Sequence, residues 1–516
     1  MASGPDHEVA IIGAGLTGIG TASALLRAGM SDFVILERAH DVGGTWRDNT
    51  YPGVGVDVPS FSYQFLWETK ADWSRVFASG PEVKQYIDDY VTKYRIRPHL
   101  RLGHDVIRRT WDEDAHLWRL SIADGSEVTA RFVYSAESPF VGVRPVDIPG
   151  VADFRGKILR SMAWDHDYDL TGKRVAVIGT GASAVQIVPA IADRVAALDV
   201  YQRTPIWIVP KVDPKIPRWA VELLRRPGLA RSVYHATCKA TELTLSQAIT
   251  RYATSRPLHR MFAAVCRWEI NRSVTDPEVR ARLTPDYDFG CKRPSMSNTY
   301  FKTYNKPHVG LITEGIDRLT DSGIASATGE HREYDAIVLA TGFLMAWDPA
   351  AYVERPISGA GGFDLGRHLA ENKIMAYEGL TIPGMPNYFM SFSAYSGLSS
   401  WHPIVQVASK HLVRVLTECH RRGATRVEIT QSAFDRFSSM ITERMAGALF
   451  FHRDCGGANS YYIDHHGDAP SLRPTSTRQA VRASRTFPLD DYAYARPRYE
   501  EPEQPAPSEP AVKTGT

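Results

Sequence analysis

Val9-Ala-Ile-Ile-Gly13-Ala-Gly15-Leu-Thr-Gly18 returns 166 residues later as Val175-Ala-Val-Ile-Gly179-Thr-Gly181-Ala-Ser183-Ala184. In each copy a short β-branched run ends in closely spaced glycines and leads into a helix-compatible stretch, Thr17 to Arg27 in the first and Ala182 to Ala192 in the second. This is the strand, tight turn and helix opening of a βαβ unit, whose amides and helix N-terminus favour a pyrophosphate. One such match is weak evidence, because glycines also serve ordinary turns. Two matches, each with an apolar run before it, predict an α/β fold with two Rossmann-like dinucleotide-binding domains.

The end of the second strand in each unit reads out which dinucleotide is held. A carboxylate there accepts hydrogen bonds from a free ribose 2′-OH, whereas an arginine accommodates a 2′-phosphate. Phe33-Val-Ile-Leu-Glu37 places a carboxylate 24 residues after Gly13, and Val200-Tyr-Gln-Arg203-Thr204 places a guanidinium 24 residues after Gly179. Equal spacing with opposite charge predicts FAD on the first module (Gly13, Gly15, Gly18, Glu37) and NADPH on the second (Gly179, Gly181, Ser183, Arg203).

The chain of 516 residues is long enough for about three units. A third apolar run, Tyr334-Asp-Ala-Ile-Val-Leu-Ala340, closing in Thr341-Gly342-Phe343, is read as the return to the first module. That makes the expected FAD domain discontinuous, residues 1–145 plus 335–450. The NADPH domain, 150–210 plus 286–334, is inserted within it. The aromatic-rich, helix-compatible residues 211–285 form a cap inside the insertion, and the Pro- and Glu-rich stretch 498–516 is expected to be disordered.

With 60 basic and 58 acidic residues the net charge is +2, so no overall field draws nucleic acid. No run of 18 uncharged apolar residues spans a bilayer and no signal peptide opens the chain, which reads as cytoplasmic. Five cysteines without a CxxC pair or Cys/His metal spacing predict neither a disulfide framework nor a metal site. The missing CxxC also disfavours passing electrons to a disulfide, and no cysteine cluster supplies an iron–sulfur relay, which leaves molecular oxygen as acceptor.

Several segments then resemble the class B flavoprotein monooxygenases, and within them the Baeyer–Villiger monooxygenases. They are Gly43-Gly44-Thr45-Trp46 through Tyr51-Pro-Gly53 to Asp57; Phe154-Arg-Gly156 through Arg160 to Trp164-Asp165; Gly290-Cys-Lys292-Arg293-Pro; Ala340-Thr341-Gly342-Phe343; and Ser460-Tyr-Tyr. The resemblance covers nearly the whole chain. It departs at Arg160, where the family fingerprint has His, and at Tyr461, where relatives carry Trp. It implies that NADPH reduces FAD, that oxygen adds at flavin C4a, and that the resulting peroxyflavin attacks a small apolar ketone to give an ester or lactone. It further implies that Arg293 stabilises the negative oxygen adduct, that Asp57 holds Arg293, that Lys292 and Thr204 join Arg203 around the 2′-phosphate, and that 451–497 lie near the active site. Trp46, Tyr51 and Tyr63 are expected to line the flavin, while His402, His465 and His466 read as surface or packing residues. Two other readings stay open: oxidation of sulfur or nitrogen, and an uncoupled or non-catalytic redox sensor. Substrate identity and oligomeric state are not legible.

Overall fold

The computed structural model describes residues 4–496 except 392, 399 and 454. The expectation of disorder over 498–516 lies outside the described residues. In the first sheet His7–Ile12 runs parallel between Phe33–Glu37 and Glu127–Ser135. Leu100–Leu102 extends it on one side, and the antiparallel strands Leu117–Ile122 and Val106–Asp112 extend it on the other. Val9, Ala10, Ile11 and Ile12 are all buried, as expected of a central parallel strand covered on both faces, so the run is continuous rather than alternating.

The second sheet is wholly parallel, in the order Val309–Ile312, Ala197–Tyr201, Arg174–Ile178, Ala336–Leu339, Lys157–Arg160. The run at 336–339, read from sequence as returning to the first module, therefore belongs here and corrects the boundary drawn at 335. Strand Ala336–Leu339 pairs with both Arg174–Ile178 and Lys157–Arg160. A buried four-residue apolar run says that a sheet exists but not which one. The return to the first sheet comes later, through Ile357–Ser358 and Tyr388–Met390. Between the two sheets the chain crosses on an antiparallel pair, Phe140–Val143 with Phe343–Met345.

Inside the second module, the helices Arg218–Leu224, Pro227–Thr241, Tyr252–Ser273 and Pro277–Leu283 fill most of 211–285. Cys266 and Ile270, one helical turn apart on Tyr252–Ser273, are fully buried, so one face of that helix packs inward. The sequence did not anticipate that Cys291 and Cys455, 164 residues apart, form a disulfide. Chain folding brings their Cα atoms to 5.2 Å, and no local spacing announces such a bond. Cys238, Cys266 and Cys419 are buried outside it.

Candidate active site

The first turn is shaped for a phosphate. Gly13 has φ of +102°, and Gly13 N–H donates to the Leu36 carbonyl, tying the turn to the neighbouring strand. The helix Leu16–Arg27 opens at Gly15 with no side-chain cap, although Leu16, Thr17 and Gly18 are buried. A buried helix N-terminus with open N–H groups calls for an anionic partner. The Gly43–Gly44 turn closes over it, so that a Cβ on Gly44 would lie 3.1 Å from the Gly15 Cα. Glu37 is buried and accepts hydrogen bonds from the N–H groups of Ala14 (2.7 Å) and Ala39 (3.0 Å) and from Arg47 (2.9 Å). A carboxylate has about four acceptor sites, leaving capacity for a ribose hydroxyl. These features fit FAD. Thr45 and Trp46 start the short helix Thr45–Asp48, and the Trp46 indole N–H donates to the Tyr63 hydroxyl at 3.1 Å. Tyr63 meets Trp401 and His402 edge-on at 5.5 and 5.6 Å, and burial raises its pKa. His402 is a buried packing residue, held neutral because burial lowers its pKa.

The second turn repeats the first. Gly179 has φ of +116°, its N–H donates to the Tyr201 carbonyl, and Gly181 opens the helix Ala182–Ile191 without a side-chain cap. Space around Gly181 is open. Arg203 is exposed, and burial, with the Arg203 charge adding to it, lowers the Lys292 pKa to about 8. Two cations thus face the same place, at the strand end where a 2′-phosphate would sit. Thr204 lies beside them, and its hydroxyl accepts from Asn459 at 2.8 Å. This arrangement fits NADPH. Thr341 and the positive-φ Gly342 follow Ala340, whose carbonyl packs against Gly179. Loss of a charge-assisted phosphate contact is worth roughly 1.5 to 3 kcal/mol, so kcat/KM for NADPH should exceed that for NADH by at least about tenfold. Arg203→Ala should erase most of that ratio. Equal kcat/KM for the two nucleotides in the unmodified protein would remove the role given to Arg203.

Between the cradles, Arg293 donates to Asp57 through Nη2 at 2.8 Å and Nε at 3.2 Å, across 236 residues of sequence. Asp57 is the main reason that the Arg293 pKa is raised, against the opposing effect of burial. Arg293 keeps 33% of its side-chain surface open. Tyr461 and Tyr462 adjoin its guanidinium, and burial raises the pKa of both tyrosines. Tyr461 meets Phe140 on the crossing strands edge-on at 5.9 Å. Lys211, read from sequence only as the start of the cap, belongs to this neighbourhood: burial lowers its pKa, while Asp213 and Asp57 raise it.

Tyr51 does not join the aromatic group around Trp46. It packs into the core of the second module and donates to Gln186 at 3.0 Å. Gln186 in turn donates to the Gly55 carbonyl. The loop carrying Asp57 is therefore fastened to the helix that opens the NADPH cradle. In the fingerprint segment, Phe154 is buried, Lys157 pairs with Asp165, and His166 bonds Thr50 at 2.8 Å, making a second fastening between modules. The disulfide ties the Arg293 loop to the segment bearing Asn459, Tyr461 and Tyr462. Removing such a cross-link typically costs about 2 to 4 kcal/mol, so Cys455→Ser should lower the thermal midpoint. In denaturant without reductant three thiols should react per chain; a count of five would show the bond to be absent.

Two uncapped glycine turns, each at the start of a helix in its own parallel sheet, define a protein that holds two dinucleotides. Residues 11–79 match the model of the NAD(P)-binding Rossmann-like domain, and residues 132–245 that of flavin-binding monooxygenase-like proteins. A Baeyer-Villiger monooxygenase of Streptomyces coelicolor is 36% identical over 507 residues, covering 95% of this chain and 94% of that one. Another, from Pseudomonas aeruginosa, is 36% identical over 458 residues, covering 88% and 85%. The crystal structure of OTEMO in complex with FAD and NADP superimposes with a TM-score of 0.83 at 26% identity, covering 96% of this chain and all of that one. The chain belongs to the Baeyer–Villiger monooxygenases, in spite of Arg160. Among the described residues no helix is long and apolar enough to cross a membrane, and no cluster of ligands could hold a metal ion.

Proposed function

We propose that this chain inserts one atom of molecular oxygen beside the carbonyl of an apolar ketone, with Arg293 as the group that supports oxygen transfer. Ketone, O2, NADPH and a proton give ester or lactone, NADP⁺ and water. Gly13, Gly15, Gly18, Gly44, Thr45, Trp46, Glu37 and Tyr63 hold FAD; Gly179, Gly181, Ser183, Arg203, Thr204, Lys292, Thr341 and Gly342 hold NADPH. Bound there, the two cofactors would supply the reducing equivalents by which oxygen is activated.

The remaining work belongs to the chain. Arg293 supplies a positive charge where negative charge develops on oxygen, and a guanidinium has no proton that it can give up at working pH. Asp57 holds that charge in place and limits the cost of burying it. The Tyr462 hydroxyl, kept protonated by burial, adjoins the guanidinium without setting a second negative charge against it. Tyr461 beside Arg293 continues through Phe140 to Phe343, an aromatic run whose surface suits an apolar substrate.

The observation that supports this reading is the Asp57–Arg293 ion pair in a chain with two uncapped, glycine-opened helix N-termini. Turnover of ketones and sulfides under oxygen-18 tests it. One heavy atom in an ester or lactone, in step with NADPH consumed, is expected. Sulfoxide as the sole labelled product would move the assignment to heteroatom oxidation, and hydrogen peroxide alone would point to an uncoupled oxidase.

A further inference from the structure

We propose that the outer face of the helical insertion is a docking surface for an anionic lipid bilayer. Residues 211–275 carry twelve Lys and Arg against four Asp and Glu, a net of +8 in a chain whose total is +2, so the rest of the molecule is at −6. Three of the four acids are spent on cations of the same segment, Glu222 on Arg225, Glu242 on Lys239 and Glu269 on Arg272, and Asp213 is bonded to Arg75.

The same segment exposes apolar bulk. Eight of the twelve large apolar side chains recorded as exposed among the described residues lie between 212 and 268. Trp219 (69% exposed), Leu223 and Leu229 rim an open, apolar-lined groove of 320 Å³ whose floor is Phe61 and Val76. Met261, Val265 and Trp268 (57% exposed) stand at i, i+4 and i+7 of Tyr252–Ser273, a second stripe on one helix face. Exposed Arg225 and Arg226 adjoin the first group, and Arg272 lies over the Trp268 ring at 4.4 Å.

Exposed apolar side chains gathered this way mark an interaction site. Tryptophan and leucine interleaved with arginine is the composition of segments that lie in a bilayer interface, with the rings among headgroups and the cations on anionic lipid. A second copy of this chain is the weaker occupant, because a two-fold interface sets this net-positive insertion against itself. Polyanions answer the charge but leave Trp219, Leu223 and Leu229 in water.

The test is flotation of the FAD-loaded protein with vesicles of phosphatidylcholine alone or mixed with phosphatidylglycerol. Binding is expected to the mixed vesicles only, weakening as salt rises from about 0.1 M to about 0.5 M. Arg225→Glu/Arg226→Glu and, separately, Trp219→Ser/Leu223→Ser should each weaken partitioning at least about tenfold. All four side chains are exposed, so an unchanged thermal midpoint shows that the fold is retained. Equal binding to phosphatidylcholine, no binding, or indifference to both double variants overturns the proposal. So does heparin or RNA binding that persists in Trp219→Ser/Leu223→Ser, or a dimer that this variant dissociates.

Discussion

Arg293→Ala is expected to lower the rate of oxygenated product formation by about a hundredfold to a thousandfold, the range measured when one fixed donor to a developing oxyanion is removed. NADPH consumption should continue. The substitution leaves the glycine turns, Glu37 and Arg203 untouched, so hydride transfer and reaction with oxygen remain available, and electrons should appear as hydrogen peroxide. Asp57 also loses its partner, and a half-buried carboxylate without its cation is itself unfavourable. Arg293→Lys separates the two effects. Lysine restores a positive charge near Asp57 but lacks the planar fork that bonds Asp57 through both Nε and Nη2, so stability should recover more than product. The measurement is the ratio of product to hydrogen peroxide per NADPH consumed. Product within tenfold of the unmodified protein would show that Arg293 serves cofactor binding rather than oxygen transfer.

The distances over which contacts form explain which features the sequence revealed. Gly13 to Gly18 and Gly179 to Ala184 are contiguous, and their turns are fixed by residues a few positions apart, so the repeat alone announces both cradles. Glu37 and Arg203 are legible for the same reason, each standing at a set interval along its own βαβ unit. Asp57 and Arg293 are not, because nothing local links residues 236 positions apart; only resemblance to a family paired them. The Cys291–Cys455 bond, the Asn459–Thr204 contact and the seat of Tyr51 against Gln186 are likewise products of packing between modules. Strand Ala336–Leu339 was recognised as a strand and assigned to the wrong sheet. Its four buried residues carry the hydrophobic pattern of either module, and what decides between them is pairing with Arg174–Ile178 and Lys157–Arg160.

Gly18→Ala should weaken retention of FAD by about tenfold to a hundredfold, the consequence of forcing one methyl group into a packed turn. A Cβ at this position would stand 2.0 Å from the Gly13 carbonyl oxygen and 3.1 Å from its carbon. Those are backbone atoms of the phosphate turn, not the end of a flexible side chain, so relief requires moving Gly13 away from the helix N-terminus. The second module supplies the control, since Ala184 stands where the repeat aligns with Gly18 and is wholly buried. That turn already accepts a methyl group at the third position, so Ala184→Gly should leave NADPH affinity within about threefold and cost only about 1 kcal/mol of helix stability. The readout is the flavin-to-protein absorbance ratio after gel filtration, alongside the NADPH dissociation constant. Full flavin occupancy in Gly18→Ala would mean that the two turns tolerate the same side chain, and that Gly18 is not what sets the first apart.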